Sequence, residues 1–178
     1  PPDAQAAGAH RVEVKRRTWA FDLHRRQCIR LEGFLIFAAT LNLDGAVDCT
    51  VDDCHIRYAS HFTDANGWNK YNDTGIVLGG HDNVVRDSSV VYSAGNGVTL
   101  VGENNTLANC VVRRANYMAT DCGAVWMEGR GNTVSHCTLG LTGRSVLLHR
   151  YLQAGRIVHN EMYDGGLLST DLGMTYCY

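Results

Sequence analysis

Three short runs place an acidic side chain two residues ahead of a glycine: Asp73-Thr74-Gly75, Asp121-Cys122-Gly123 and Asp171-Leu172-Gly173. Such a carboxylate has two uses. It can cap a recurrent turn by accepting from backbone N–H groups two residues on, or it can stand on a loop as a general acid or base. The second use needs a partner at a set separation, about 6.5–9.5 Å in an inverting glycosidase and about 5 Å in a retaining one. Asp121 and Asp171 form the preferred pair, because both stand beside loops of similar length with Arg144 and His149 on the segment between them. Asp73 extends the column but sits one residue out of step with Asp121.

Arg144, Arg150 and His149 suit a rival chemistry. A base removes the proton α to a uronate carboxyl group while a cation, or calcium, neutralises that carboxylate. Their plainer use is as solvated surface groups. Asp44, Asp48, Asp52 and Asp53 are the residues from which a calcium site would be assembled, but they lack Gly-rich liganding spacing. Calcium is therefore expected only with lyase chemistry, and no other cofactor or metal is expected.

The elements that position these groups come from an internal repeat. An apolar residue, two arbitrary residues, a small or polar residue, one arbitrary residue and a second apolar residue recur six times: Leu31-Phe34-Ile36, Val51-Cys54-Ile56, Val85-Ser88-Val90, Leu107-Cys110-Val112, Val134-Cys137-Leu139 and Ile157-Asn160-Met162. Copies are 20, 34, 22, 27 and 23 residues apart, a solenoid period with loop insertions. Asn83, Asn105 and Asn132 each precede a copy and are expected to take a left-handed bend at a corner. Ahead of those corners lie short alternating strands, Gly75-Ile76-Val77-Leu78, Gly97-Val98-Thr99-Leu100 and Gly123-Ala124-Val125-Trp126-Met127. The spacing predicts an all-β, right-handed parallel β-helix of about six coils, each about 4.8 Å above the last. Cys54, Ser88, Cys110, Cys137 and Asn160 would stack as an internal ladder, so the seven cysteines read as reduced packing residues.

Residues 29–178 carry the coils. Residues 1–28 stand outside the template, with Arg11–Lys15 and Trp19–Leu23 as lead-in strands and Lys15, Arg16, Arg17, Arg25 and Arg26 on a solvated face. The pattern begins in a polar stretch and stops at Met174–Tyr178 within a strand-like run, so further coils are expected on either side. Sixteen basic against eighteen acidic residues leave no broad positive field for nucleic acid. The longest apolar run, Gly33 to Thr40, is too short to span a bilayer. Phosphate-cradling loops, H-E-x-x-H and G-x-S-x-G are absent.

Trp19-Ala20-Phe21-Asp22-Leu23, Ile29-Arg30-Leu31-Glu32-Gly33-Phe34, the Asn83, Asn105 and Asn132 coils and Asp171-Leu172-Gly173 together resemble the large right-handed β-helix group. Its best known members are pectate lyases, polygalacturonases and related polysaccharide-degrading enzymes, and the likeness covers roughly residues 19 to 178. The same solenoid serves phage tailspikes, adhesins and epimerases, and no catalytic signature of one subfamily is present to transfer. The resemblance implies a secreted or cell-surface protein with a polysaccharide or oligosaccharide partner, bound on the flank where loop length varies. On that flank lie Trp68, Tyr71, Tyr92, Tyr117 and Tyr163, whose flat faces suit sugar rings. Trp126 would join them as an outward platform if Val125 and Met127 face inward; a one-residue slip would bury it. The expected function is a glycoside hydrolase working through the Asp pair on a plant, algal or microbial polysaccharide. The alternatives are a lyase on a uronate-containing substrate and a non-catalytic carbohydrate-binding or adhesin solenoid.

Overall fold

In the computed structural model, which describes residues 15–61 and 74–177, the chain winds through three parallel sheets. Numbered in chain order, sheet A contains β1 (Trp19–Asp22), β4 (Thr40–Leu43), β7 (Ile76–Leu78), β10 (Val98–Leu100), β13 (Gly123–Arg130), β16 (Ser145–Gln153) and β19 (Thr175–Cys177). Sheet B contains β2 (Arg30–Glu32), β5 (Thr50–Asp52), β8 (Val84–Arg86), β11 (Thr106–Ala108), β14 (Thr133–Ser135) and β17 (Arg156–Val158). Sheet C contains β3 (Leu35–Phe37), β6 (His55–Ser60), β9 (Ser89–Ser93), β12 (Val111–Ala115), β15 (Thr138–Gly140) and β18 (Glu161–Tyr163). Each coil passes A, B, C and returns to A one level up, giving a right-handed parallel β-solenoid of about six turns.

The repeat maps onto sheets B and C without a slip. Leu31, Val51, Val85, Leu107, Val134 and Ile157 are in register down sheet B, and Ile36, Ile56, Val90, Val112, Leu139 and Met162 down sheet C. With Leu41, Leu43, Ile76, Leu78, Val98, Leu100, Val125, Met127 and Leu147 of sheet A they form one continuous apolar column. Three-residue strands bury too little surface to persist alone; stacking against the coils above and below stabilises them.

Three corners join the sheets, and at each of them every coil repeats a residue with positive φ. Between A and B these are Cys28, Asp48, Asp82, Asn104, Gly131 and Ala154; between B and C, Gly33, Asp53, Asp87, Asn109, His136 and His159. After sheet C they are Ala38, Tyr58, Tyr92, Arg114, Leu141 and Asp164. The expectation that Asn83, Asn105 and Asn132 bend the chain is thus corrected by one position. The preceding residue takes the left-handed conformation, and the asparagines point inward, fully buried. Their amides form a ladder: Asn83 N donates to Asn105 Oδ1 at 3.0 Å and Asn105 N to Asn132 Oδ1 at 2.8 Å. Their Nδ2 groups donate to the carbonyls of Ala46, Gly80 and Gly102. These bonds satisfy corner backbone groups that no strand pairs.

At the next corner Cys54, Ser88, Cys110, Cys137 and Asn160 form the second ladder, as the repeat predicts. Ser88 Oγ accepts from Cys54 N and Asn160 Oδ1 from Cys137 N. All seven cysteines are free. Contact with the Cys137 thiol, with burial, pushes the Cys110 thiol up, so it stays a packing residue rather than a thiolate. Phe34 fills the same position in the first coil and is half-exposed there, its ring 4.8 Å from that of Phe21. No helix among the described residues is long and apolar enough to cross a membrane.

Candidate functional site

Sheet C and the strand ends at its corner carry a group of aromatic rings and cations in mutual contact. Because Tyr58, Tyr92 and Arg114 each stand at the same left-handed position near the end of a sheet C strand, their side chains leave the solenoid one above another. The Tyr58 and Tyr92 rings stack at 4.8 Å and 9°, and Phe37 meets Tyr58 edge-on at 5.4 Å. Arg114 Nη1 donates to the Tyr92 hydroxyl at 3.0 Å, with its guanidinium 5.5 Å from the ring centre. Arg57 lies 5.9 Å from both tyrosine rings.

Arg57 and Arg113 share one column of sheet C with Val91 between them. They therefore stand two coils apart, about 10 Å. Above Arg113 the column continues to Gly140 and Tyr163. A Cβ on Gly140 would lie 2.9 Å from the Tyr163 ring, so the missing side chain makes room for that ring, and Arg113 settles over it at 5.7 Å. Arg57, Arg113, Arg114, Ser89 and Tyr92 line a groove of about 460 Å³ that none of the described Asp or Glu residues enters. Among the described residues none of these three arginines meets a carboxylate. Aromatic faces hold their guanidinium groups in place instead.

The pair Asp121 and Asp171 lies elsewhere, at the entry to sheet A. Arg144 stands immediately before β16, Asp121 two residues before β13 and Asp171 four before β19, so successive coils bring the three together. Arg144 Nη1 donates to Asp121, Nη2 to Asp171 Oδ2 at 2.7 Å and Nε to the Asp171 carbonyl at 2.7 Å. Tyr176 donates to Asp171 Oδ1 at 3.1 Å, and its ring lies 5.3 Å from the guanidinium. Both carboxylates converge on one arginine. The Arg144 bond, then the Tyr176 hydroxyl, hold the Asp171 carboxyl below the ordinary carboxylate value. A group so held stays ionised and is a poor proton donor. For Arg144, burial alone would lower the pKa, but the bonds to Asp171 and Asp121 outweigh it and raise it.

The other expected site residues distribute as follows. His149 lies five residues beyond Arg144 on β16, about 16 Å along the strand, paired with Met127 and Cys177. It does not join the Arg144 group. Arg150 donates to Tyr151 and packs over its ring. Asp73, Trp68 and Tyr71 lie outside the described residues. Tyr117 is 39% exposed and its hydroxyl donates to the Ser60 carbonyl. Tyr92 is on the groove, but as an edge: its faces are taken by Tyr58 and Arg114, so it offers a hydroxyl rather than a stacking platform. Tyr163 likewise gives a face to Arg113.

Trp126 is corrected outright. Val125 and Met127 do point into the core, which turns Trp126 to the opposite face of sheet A, yet it is only 2% exposed. Its register partners Thr99 and Leu148, with Val77 further down, are buried too, so this stretch of the sheet is covered on both faces. Alternation tells which face a residue takes, not whether that face is wet. The calcium reading is also not supported by placement. Asp52 is clamped by Arg30 and Arg86, Asp44 contacts His24, and Asp48 and Asp53 sit at different corners. Among the described residues no group of three or more His, Cys, Asp or Glu is placed to hold a metal ion.

Arg57, Arg113, Arg114 and Tyr58 were not singled out from the sequence. The signal was there: each falls one or two residues past the last template position, so aligning the copies stacks them. A family model described as a right handed beta helix region matches residues 39–175. No curated protein and no solved structure matches.

Proposed function

The chain belongs to the right-handed β-helix family, and from that premise we propose that it binds an acidic polysaccharide along sheet C. The family's fold is compatible with polysaccharide-active and carbohydrate-binding proteins alike. What carries the choice of an acidic ligand is the set Arg57, Arg113 and Arg114: three guanidinium groups on one face, held by aromatic rings and, among the described residues, met by no carboxylate. Arginine matches a carboxylate or sulfate with two parallel hydrogen bonds. The column spacing of about 10 Å places two such receptors along a chain running parallel to the solenoid axis. The hydroxyls of Ser89 and Tyr92 stand between them for sugar hydroxyls. A secreted or cell-surface location goes with such a ligand.

The enzymatic readings attach to different groups. A lyase would use the sheet C arginines to neutralise the uronate. A hydrolase would use Asp121 and Asp171, whose convergence favours a pair. The guanidinium between them occupies the space an inverting enzyme keeps for water, so Arg144 would have to swing away first.

The test is binding of the full chain to polygalacturonate and to dextran at low and high salt, followed by product analysis. Tight, salt-weakened binding to polygalacturonate alone is expected. Equal affinity for the neutral polymer would overturn the proposal. Ultraviolet-absorbing unsaturated ends would add lyase action, and reducing ends without them hydrolysis.

A further inference from the structure

Below the arginine groove, at the β3 end of sheet C, large apolar side chains face solvent. Leu35 is 83% exposed and Phe37 62%, and with Phe34, Tyr58 and Tyr117 they line a cavity of about 960 Å³. Its rim carries Arg16 and Arg17, which have no carboxylate partner among the described residues, and none of the described Asp or Glu residues lines it. Exposed apolar surface of this kind marks a ligand groove, and the volume falls in the range of small-molecule sites.

This cavity and the arginine groove share a wall. Tyr58 lines the first and Tyr92 the second, and the two rings are stacked. Phe37 continues the stack downward against Tyr58. A ligand lying along sheet C would thus pass from guanidinium groups, over the tyrosine edges, onto Leu35 and Phe37 without a gap. An unsubstituted acidic polysaccharide satisfies only the upper half, because its hydroxyls have few partners against Leu35, Phe37 and Phe34. An apolar chain satisfies the lower half, and the cations on both sides suit an acid group attached to it.

Building on the acidic-polysaccharide reading, we infer that the preferred ligand is an acidic glycan bearing an acyl or alkyl chain. Its carboxylate pairs with Arg57, Arg113 and Arg114, and its chain lies in the Leu35–Phe37 cavity. The charged half sets the requirement for an acid, and the apolar half selects substituted over bare sugars.

Calorimetric titration of the full chain separates the two halves, using octyl β-D-glucuronide below its micelle concentration, methyl β-D-glucuronide and octyl β-D-glucoside. Each buried methylene strengthens binding about 4-fold, so burying about half of the octyl chain gives an advantage on the order of 100-fold over the methyl glycoside. The double variant Leu35→Ser/Phe37→Ser, at sites 83% and 62% exposed, removes that advantage, so that octyl and methyl glucuronide bind it with similar affinity. Arg113→Gln weakens both glucuronides and spares the octyl glucoside. An octyl advantage that is absent, or that survives in the double variant, overturns the inference. Failure of the underlying reading shows separately, as loss of discrimination between polygalacturonate and dextran.

Discussion

Arg30 and Arg86 on sheet B and Arg144 at the entry to sheet A are paired with carboxylates; among the described residues Arg57, Arg113 and Arg114 on sheet C are not. Arg30 and Arg86 close on Asp52 from the coils on either side, and Arg144 bridges Asp121 and Asp171. Arg57 and Arg113 have the same kind of position, an outward strand residue with register neighbours one coil away. Those neighbours, however, are Phe37, Val91 and Gly140. In a parallel stack the residue one coil away decides whether a charge is neutralised, and the scaffold shows twice that it can supply a carboxylate there. Where it supplies rings and a glycine instead, the guanidinium groups are oriented by aromatic contacts and, among the described residues, meet no carboxylate. The closed clusters tie coils together, and the open face is the one to which the proposed acidic ligand is assigned.

The strongest way to break that division is to remove each kind of arginine in turn. The triple variant Arg57→Gln/Arg113→Gln/Arg114→Gln is expected to weaken polygalacturonate binding by at least about 100-fold, since a hydrogen bond to a charged group contributes about 1.5–3 kcal/mol. Its melting temperature should hardly move. Arg144→Gln should do the reverse, lowering the melting temperature and sparing affinity. Equal loss of binding in both variants would dissolve the distinction.

The scaffold side of the comparison is sharpened by Asn105→Ala. Asn105 is fully buried, and its Oδ1 accepts from both Asn83 N and Asn83 Nδ2. Stranding those donors should cost about 1–3 kcal/mol in chemical denaturation with affinity retained. A smaller effect is expected on the recognition side from Tyr163→Leu. It removes the ring under Arg113 without touching the cation, and an exposed cation–π contact of about 0.5–1 kcal/mol translates into roughly 2- to 5-fold weaker binding. Unchanged affinity would mean that Arg113 needs no platform.

Much of the solenoid was legible because register in a parallel stack is written in the spacing of single apolar residues: Leu31 to Ile157 and Ile36 to Met162 each fall on one column. The corner conformation was misplaced by one residue for a definite reason. Asp82 and Asn104 tolerate a left-handed φ as readily as Asn83 and Asn105, so propensity does not order the neighbours. Only the inward amide ladder does. Trp126 shows a different limit, since a period of two reports sidedness while burial of the outer face depends on what packs there. Asp121, Arg144 and Asp171 were grouped from loop position, and the structure brings them together. That the guanidinium sits between the carboxylates is a property of side-chain reach, invisible to spacing. The open face escaped notice because its signal is an absence: no residue type marks a missing counter-charge.

Acid should separate the two regions by the smallest and most selective effect. Asp52 is held below the ordinary carboxylate value chiefly by its bond to Arg86, and Asp171 by its bond to Arg144. A carboxylate whose pKa falls on folding contributes stability that is complete above its unfolded value, near 3.9, and is lost as pH drops through the folded value. The closed clusters should therefore loosen only below about pH 4. The Asp171 carboxylate sits close to solvent, so its share of the loss should be small. Comparing wild type with Asp171→Asn by thermal melting across this range tests the point: the gap between them should be constant at neutral pH and close under acid. Binding of a sulfated polysaccharide to sheet C, a ligand that does not itself titrate there, should persist until the coils unfold. A gap that widens under acid would show that Asp171 stabilises the fold in its protonated form and that the Arg144 cluster is not the closed ion bridge its geometry describes.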